Sequence, residues 1–162
     1  MRVIGMVAAN LERCRDAVLG RDGVMSAGAA TPEECSVRAR VQEILGDGSP
    51  EEVALACRMV DGFPAKAARL LGDFDTACDV SDVDGAARAL HTLKGTALNL
   101  GLDALAQTCQ SREDLVRSGA GSSDTERLRS GVLDLVADGT LVLQQVAVGL
   151  PRDAGRQVTR SA

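Results

Sequence analysis

Val83-Asp84-Gly85-Ala86-Ala87-Arg88-Ala89-Leu90-His91-Thr92-Leu93-Lys94-Gly95-Thr96-Ala97-Leu98-Asn99-Leu100 reads as one helix with two distinct faces. At 100° per residue, Ala86, Leu90, Leu93, Ala97 and Leu100 fall together and form the side that must meet a core. A second stripe, roughly 140° away on the same wheel, carries Asp84, Ala87, Arg88, His91, Lys94, Gly95 and Leu98. His91, the one histidine of the chain, therefore points outward, with Arg88 almost a turn before it and Lys94 almost a turn after. Glycine inside a helix costs about 1 kcal/mol against alanine, so Gly95 should have a reason. Four residues beyond His91, the missing side chain leaves the imidazole open to a large partner. A glycine there also permits close helix packing, and a lone His or Lys on a helix is more often an ordinary solvated group. The coincidence of all three on one stripe is what points to a function.

The flanking segments repeat with a period near 3.6, and almost none alternates with period two, which predicts an all-α chain. Thr31-Pro32-Glu33-Glu34, Ser49-Pro50-Glu51-Glu52, Ser81-Asp82-Val83-Asp84 and Ser123-Asp124-Thr125-Glu126 each set a hydroxyl cap three residues before a carboxylate, the pattern of a helix start. Two of them add proline at the first helical position. A helix is expected from Thr31 to about Leu45, ended by Gly46-Asp47-Gly48. The next starts at Pro50 and carries Val53, Cys57, Val60, Phe63, Ala67, Leu70, Leu71, Phe74 and Cys78 on one stripe. That phase survives passage through Pro64, which favours one kinked helix over two. After the His91 helix, Gly101 is placed as a C-cap. A helix from Leu102 to about Arg117 buries Leu102, Leu105, Ala106, Cys109 and Val116. A turn through Gly119 and Gly121 precedes a last helix with Leu128, Val132, Leu135, Val136, Val142, Leu143 and Val146 in phase, weakened locally at Gly139. Short loops make neighbours antiparallel, so residues 31–150 are expected to form an antiparallel up-down four-helix bundle. Residues 1–30 are read as an N-terminal extension, a short helix over about 6–19 and a small-residue linker, and residues 151–162 as a disordered polar tail.

Composition removes several functions. The 162 residues hold 18 Lys plus Arg against 23 Asp plus Glu, a net charge of −5, with 45% apolar and 25% charged residues. This is the profile of one globular domain with a real core. An acidic chain with two Phe and no Tyr or Trp offers neither phosphate attraction nor base-stacking platforms, so nucleic acid is not an expected partner. One histidine and no CxxC pair exclude the common zinc motifs, and paired ligands at helical spacing are absent around His91, so no metal is expected. Cys14, Cys35, Cys57, Cys78 and Cys109 are odd in number and widely spread, which suits free thiols in a reducing cytoplasm. The apolar run at Val3–Ala9 is too short for a secretory leader, and no run approaches the roughly 20 residues of a membrane span. A cytoplasmic monomer without a membrane partner is the resulting expectation.

His91-Thr92-Leu93-Lys94-Gly95-Thr96-Ala97-Leu98-Asn99-Leu100-Gly101 resembles the signature of histidine-containing phosphotransfer (HPt) domains of bacterial multistep phosphorelays. The similarity extends upstream through Ala86-Ala87-Arg88-Ala89-Leu90 and downstream through Leu105, Cys109 and Glu113 to Arg117-Ser118-Gly119, covering about residues 35–148. It implies a four-helix bundle that carries His91 as phosphoacceptor, Lys94 as a nearby positive charge and Gly95 as the gap beside the ring. Ala87, Arg88 and Leu98 are the expected docking residues. The implied reaction takes a phosphoryl group from an aspartyl-phosphate of one receiver domain and passes it to the aspartate of another. The partners are then response-regulator receiver domains and a hybrid sensor histidine kinase. No cofactor is expected on this chain, Mg²⁺ belonging to the receiver, and the role is that of a carrier rather than an autonomous enzyme. Leu98 stands where a small residue is common, the first 30 residues have no counterpart, and Gly62 and Gly72 soften the second helix. A histidine kinase's dimerisation helix pair is disfavoured, since Thr92 stands where an acidic residue usually follows the histidine and no glycine-rich ATP segment is present. A helical interaction module whose histidine carries no phosphate is the alternative. Met1 and the lack of a fused receiver favour a freestanding protein.

Overall fold

The structure, a computed structural model, describes residues 30–119, 125–148 and 150. Those residues hold five helices and no strand. Helix α1 (Pro32–Leu45) starts behind Thr31, whose Oγ1 accepts the Glu34 backbone N–H at 3.1 Å. Helix α2 (Pro50–Asp79) opens on a reciprocal capping box: Ser49 Oγ accepts from the Glu52 N–H, and the Glu52 carboxylate accepts from the Ser49 N–H at 3.2 Å. It runs unbroken through Pro64, as its apolar phase requires. Helix α3 (Val83–Leu100) is capped by Asp82 rather than Ser81. Ser81 is used up in ending α2: it adopts a φ of 57°, and the N–H groups of Ser81 and Asp82 close back onto Cys78 and Ala77. Asp82 is then free to accept the Gly85 N–H at 2.9 Å. Helix α4 (Asp103–Arg117) and helix α5 (Thr125–Val148) complete the fold. The expected leading helix and linker, the cap at Ser123, the side chain of Leu128 and the polar tail lie outside the described residues.

Helix α3 packs along both α2 and α4, its most extensive neighbours, while α5 closes against α1, α2 and α4. The core is built from Phe63, Leu71 and Phe74 of α2, Leu90, Leu93 and Leu100 of α3, Leu102 and Leu105 before and within α4, and Val132, Val136 and Leu143 of α5. Along α2 the buried stripe takes in Ala56 and Ala77, and the bulkier Cys57 and Cys78 stay half-buried at its edge. Contact on two sides widens the buried arc of α3 beyond the single stripe expected of it. Ala86, Ala87, Ala89, Leu90, Leu93, Ala97 and Leu100 are all buried. Four alanines in that arc let both neighbouring helices approach closely.

Two glycines are required by this packing. Gly101 ends α3 with a φ of 75°, and a Cβ there would sit 2.6 Å from the Ser36 carbonyl oxygen of α1. Gly139, a weak point in the sequence of α5, makes room for the fully buried Leu102, whose nearest methyl would stand 3.0 Å from an added Cβ. The segment Gly131–Val148 of α5 is long and apolar enough to cross a bilayer, a run that the sequence reading passed over. Half of that segment is buried inside the bundle, which accounts for its composition as core packing.

Gly101→Ala should therefore lower unfolding stability by about 2 kcal/mol or more through strain and overlap. Gly95→Ala, in open helix, should raise it by about 0.5–1 kcal/mol. Urea denaturation of the two variants checks both; the reverse order would contradict the packing described.

Candidate functional site

The site lies where α3 and α4 run side by side, and its organising group is on α4. Leu102, Leu105, Ala106, Cys109 and Val116 face the core, and Glu113 falls in the same register. Its side chain is only 7% exposed. A carboxylate removed from water needs charged partners, and α3 and α4 itself each supply one. Lys94 of α3 donates to Glu113 Oε2 at 3.0 Å, and Arg117, one turn along α4, donates through Nε and Nη2 to Oε1 at 3.3 and 3.2 Å. Burial alone would raise the Glu113 pKa, but the bonds from Lys94 and Arg117 and the nearby charges outweigh it and hold the carboxyl below its ordinary range. Lys94 also donates to Gln110 Oε1 at 2.7 Å, and Gln110 in turn donates to Asp114.

His91 stands above this pair of charges with its side chain 65% exposed. Its Nδ1 lies 3.4 Å from the Glu113 carboxylate. An ionised carboxylate can only accept, so it selects the tautomer with hydrogen on Nδ1 and leaves the lone pair on Nε2. Among the described residues Nε2 has no hydrogen-bond partner. The space beside the ring is open, since a Cβ on Gly95 would meet nothing within 4 Å. The arrangement is a solvent-facing imidazole with one nitrogen anchored and the other left with its lone pair, the form in which an imidazole can act as a nucleophile.

The other expected site residues divide. Arg88 is exposed, with Nη2 3.8 Å from Asp82, and Leu98 is 47% exposed beside the Gly95 gap. Ala87 is a correction: it is fully buried, because α4 covers that edge of α3, and it offers no docking surface. Lys94 also leaves the open stripe, its side chain 18% exposed and held by Glu113 and Gln110. A cleft lined by Arg58, Gly62, Lys66, Thr96 and Asn99 adds two cations of α2 beside the exposed side of α3. Under the site, burial pushes the Cys109 thiol up to about 12, so it is an inert core group. Among the described residues no three His, Cys, Asp or Glu side chains group as metal ligands.

A sequence profile of the Hpt domain matches residues 58–148, more than half of the chain. The chain belongs to the Hpt domain family. Hpt domains are phosphocarriers of phosphorelays that work with receiver domains, and the match takes in α3, α4 and α5 whole. His91, Lys94, Glu113 and Arg117 all fall within it. No curated protein and no solved structure matches the chain. Within this Hpt domain, the role of Glu113 escaped the sequence reading. The signal was present, since a glutamate in the apolar register of an amphipathic helix implies a cation waiting for it.

The lowered Glu113 pKa fixes the sign of one pH effect. The unfolded chain binds this proton more readily than the folded one, so the linked stability is present above the ordinary carboxylate pKa and is lost as pH falls through the folded value. Acidification from about pH 5 downward should destabilise the domain, and Glu113→Gln should flatten that limb of the stability profile. Chemical denaturation across this range checks it, and identical acid limbs for both proteins would contradict it.

Proposed function

We propose that this Hpt domain is a phosphorelay phosphocarrier that accepts a phosphoryl group on His91 Nε2 and returns it to a receiver aspartate. The observation that carries the reading is the exposed imidazole whose Nδ1 faces a buried, ionised Glu113, with open space one turn further along the helix at Gly95. In the forward step Nε2 attacks the phosphorus of a receiver's aspartyl-phosphate in line. The new N–P bond forms as the P–O bond to the aspartyl group breaks, and the electron pair leaves on the carboxylate. The ring gains positive charge as this happens, and Glu113 faces it from the Nδ1 side. Lys94 supplies a cation within one turn of the ring. The reverse sequence on a second receiver's aspartate regenerates neutral His91.

The remaining parts are assigned to the partner. The receiver brings its own Mg²⁺, which neutralises charge on the transferring group, and this chain acts without autonomous kinase activity. Receiver domains, and a hybrid sensor kinase upstream, dock over Gly95, Leu98 and Arg88, with Arg58 and Lys66 flanking. Such an encounter suits a small, charge-steered interface that forms and releases quickly. We read α2–α5 as the antiparallel up-down four-helix unit, with α1 packed across it, working as a cytoplasmic monomer.

Incubation with phosphorylated receiver domains tests the proposal. Wild-type protein should acquire acid-labile label, and His91→Gln should take none while keeping its helicity. Gly95→Gln should lose transfer from receivers, since its side chain fills the gap where the partner must approach. Labelled His91→Gln would overturn the phosphoacceptor assignment. A wild-type protein that binds receivers but takes no label would favour a pure interaction module.

A further inference from the structure

Glu113 carries two cations on separate oxygens, and they arrive from different helices. Lys94 reaches Oε2 from α3, and Arg117 reaches Oε1 from α4 itself. Resting Lys94 is committed: two of its three N–H donors are used by Glu113 and Gln110. A phosphoryl group on the neighbouring ring brings about two negative charges and competes for that ammonium. If Lys94 turned toward it with no second cation present, Glu113 would be left buried and bare, an arrangement that is strongly unfavourable.

We infer that Arg117 is a positioning residue of the transfer site, holding Glu113 paired and in place so that Lys94 can turn to the phosphoryl group. The inference rests on the phosphocarrier reading of His91. Three features support it. The Arg117 bonds are made within α4, so they are unaffected by movement of Lys94 on α3. A guanidinium keeps its charge at any working pH, so the counter-charge is permanent. Glu113 with Lys94 and Arg117 also sums to one surplus positive charge beneath His91, in a chain whose net charge is −5. An ordinary exposed i,i+4 pair would add little to helix stability and nothing to the chemistry. Here the partner carboxylate is buried and touches the reacting ring.

The test uses phosphoramidate, a small donor that needs no docking surface. Its P–N bond breaks, the phosphoryl group forms a bond to His91 Nε2, and ammonia leaves. Arg117→Gln should slow labelling by about fivefold, the effect of one charge-assisted bond weakened by a half-exposed guanidinium. Arg117→Lys should recover most of the rate, and Arg117→Gln should add nothing in a Glu113→Gln background. In the phosphorylated proteins the Glu113 carboxyl ¹³C resonance should stay at its ionised position in wild type and move toward the protonated one in Arg117→Gln. Equal labelling rates, or an unmoved carboxyl resonance, in Arg117→Gln would overturn the Arg117 assignment alone. A wild-type domain that takes no label from phosphoramidate or from receivers would overturn the carrier reading and this inference with it.

Discussion

A carboxylate held out of water sets the terms for everything around it. Glu113 is nearly fully buried, and leaving such a charge unpaired costs about 3–5 kcal/mol. The folded chain meets that demand with Lys94 from the adjacent helix and Arg117 from its own. The two helices are thereby fixed in register as well as packed. The same demand explains why Lys94 lies folded inward, and why the imidazole of His91 has one nitrogen directed at an acceptor. A hydrophobic residue at 113 would pack as well, but it would leave the ring free to choose its tautomer.

The rest of the fold serves to hold this pair of helices still while leaving one arc of α3 uncovered. Alanines on both flanks of α3 bring α2 and α4 close, and large apolar side chains from α2 and α5 fill the space behind. What remains outside around the ring is an arc of Arg88, His91, Thr92, Leu98 and Asn99, with Gly95 half-buried within it. The open space at Gly95 suits a partner that must bring its own reacting group close to the ring. On the proposed reading, this chain contributes position, a tautomer and nearby positive charge, and the rest of the chemistry falls to the partner.

Much of this was legible in the sequence where local rules dominate. The caps at Thr31 and Ser49, the continuity of α2 through Pro64 and the left-handed Gly101 follow from side-chain reach and backbone sterics within a few residues. The shift of the α3 cap to Asp82 was less accessible, because the end of α2 claims Ser81 first. Ala87 and Lys94 were misplaced on the open stripe for a different reason. A wheel describes one helix, and how wide an arc its neighbours cover depends on both of them. Glu113 needed one step more, since its meaning comes from residues 19 and 22 positions earlier in the chain.

The measurement that tests the account most directly is the identity of the phosphorylated ring nitrogen. After transfer from a phosphorylated receiver, ¹⁵N-labelled imidazole resonances of His91 report which nitrogen is bonded to phosphorus. The account predicts phosphorus on Nε2, with hydrogen retained on Nδ1 toward Glu113. Phosphorus on Nδ1, or on a residue other than His91, would contradict it.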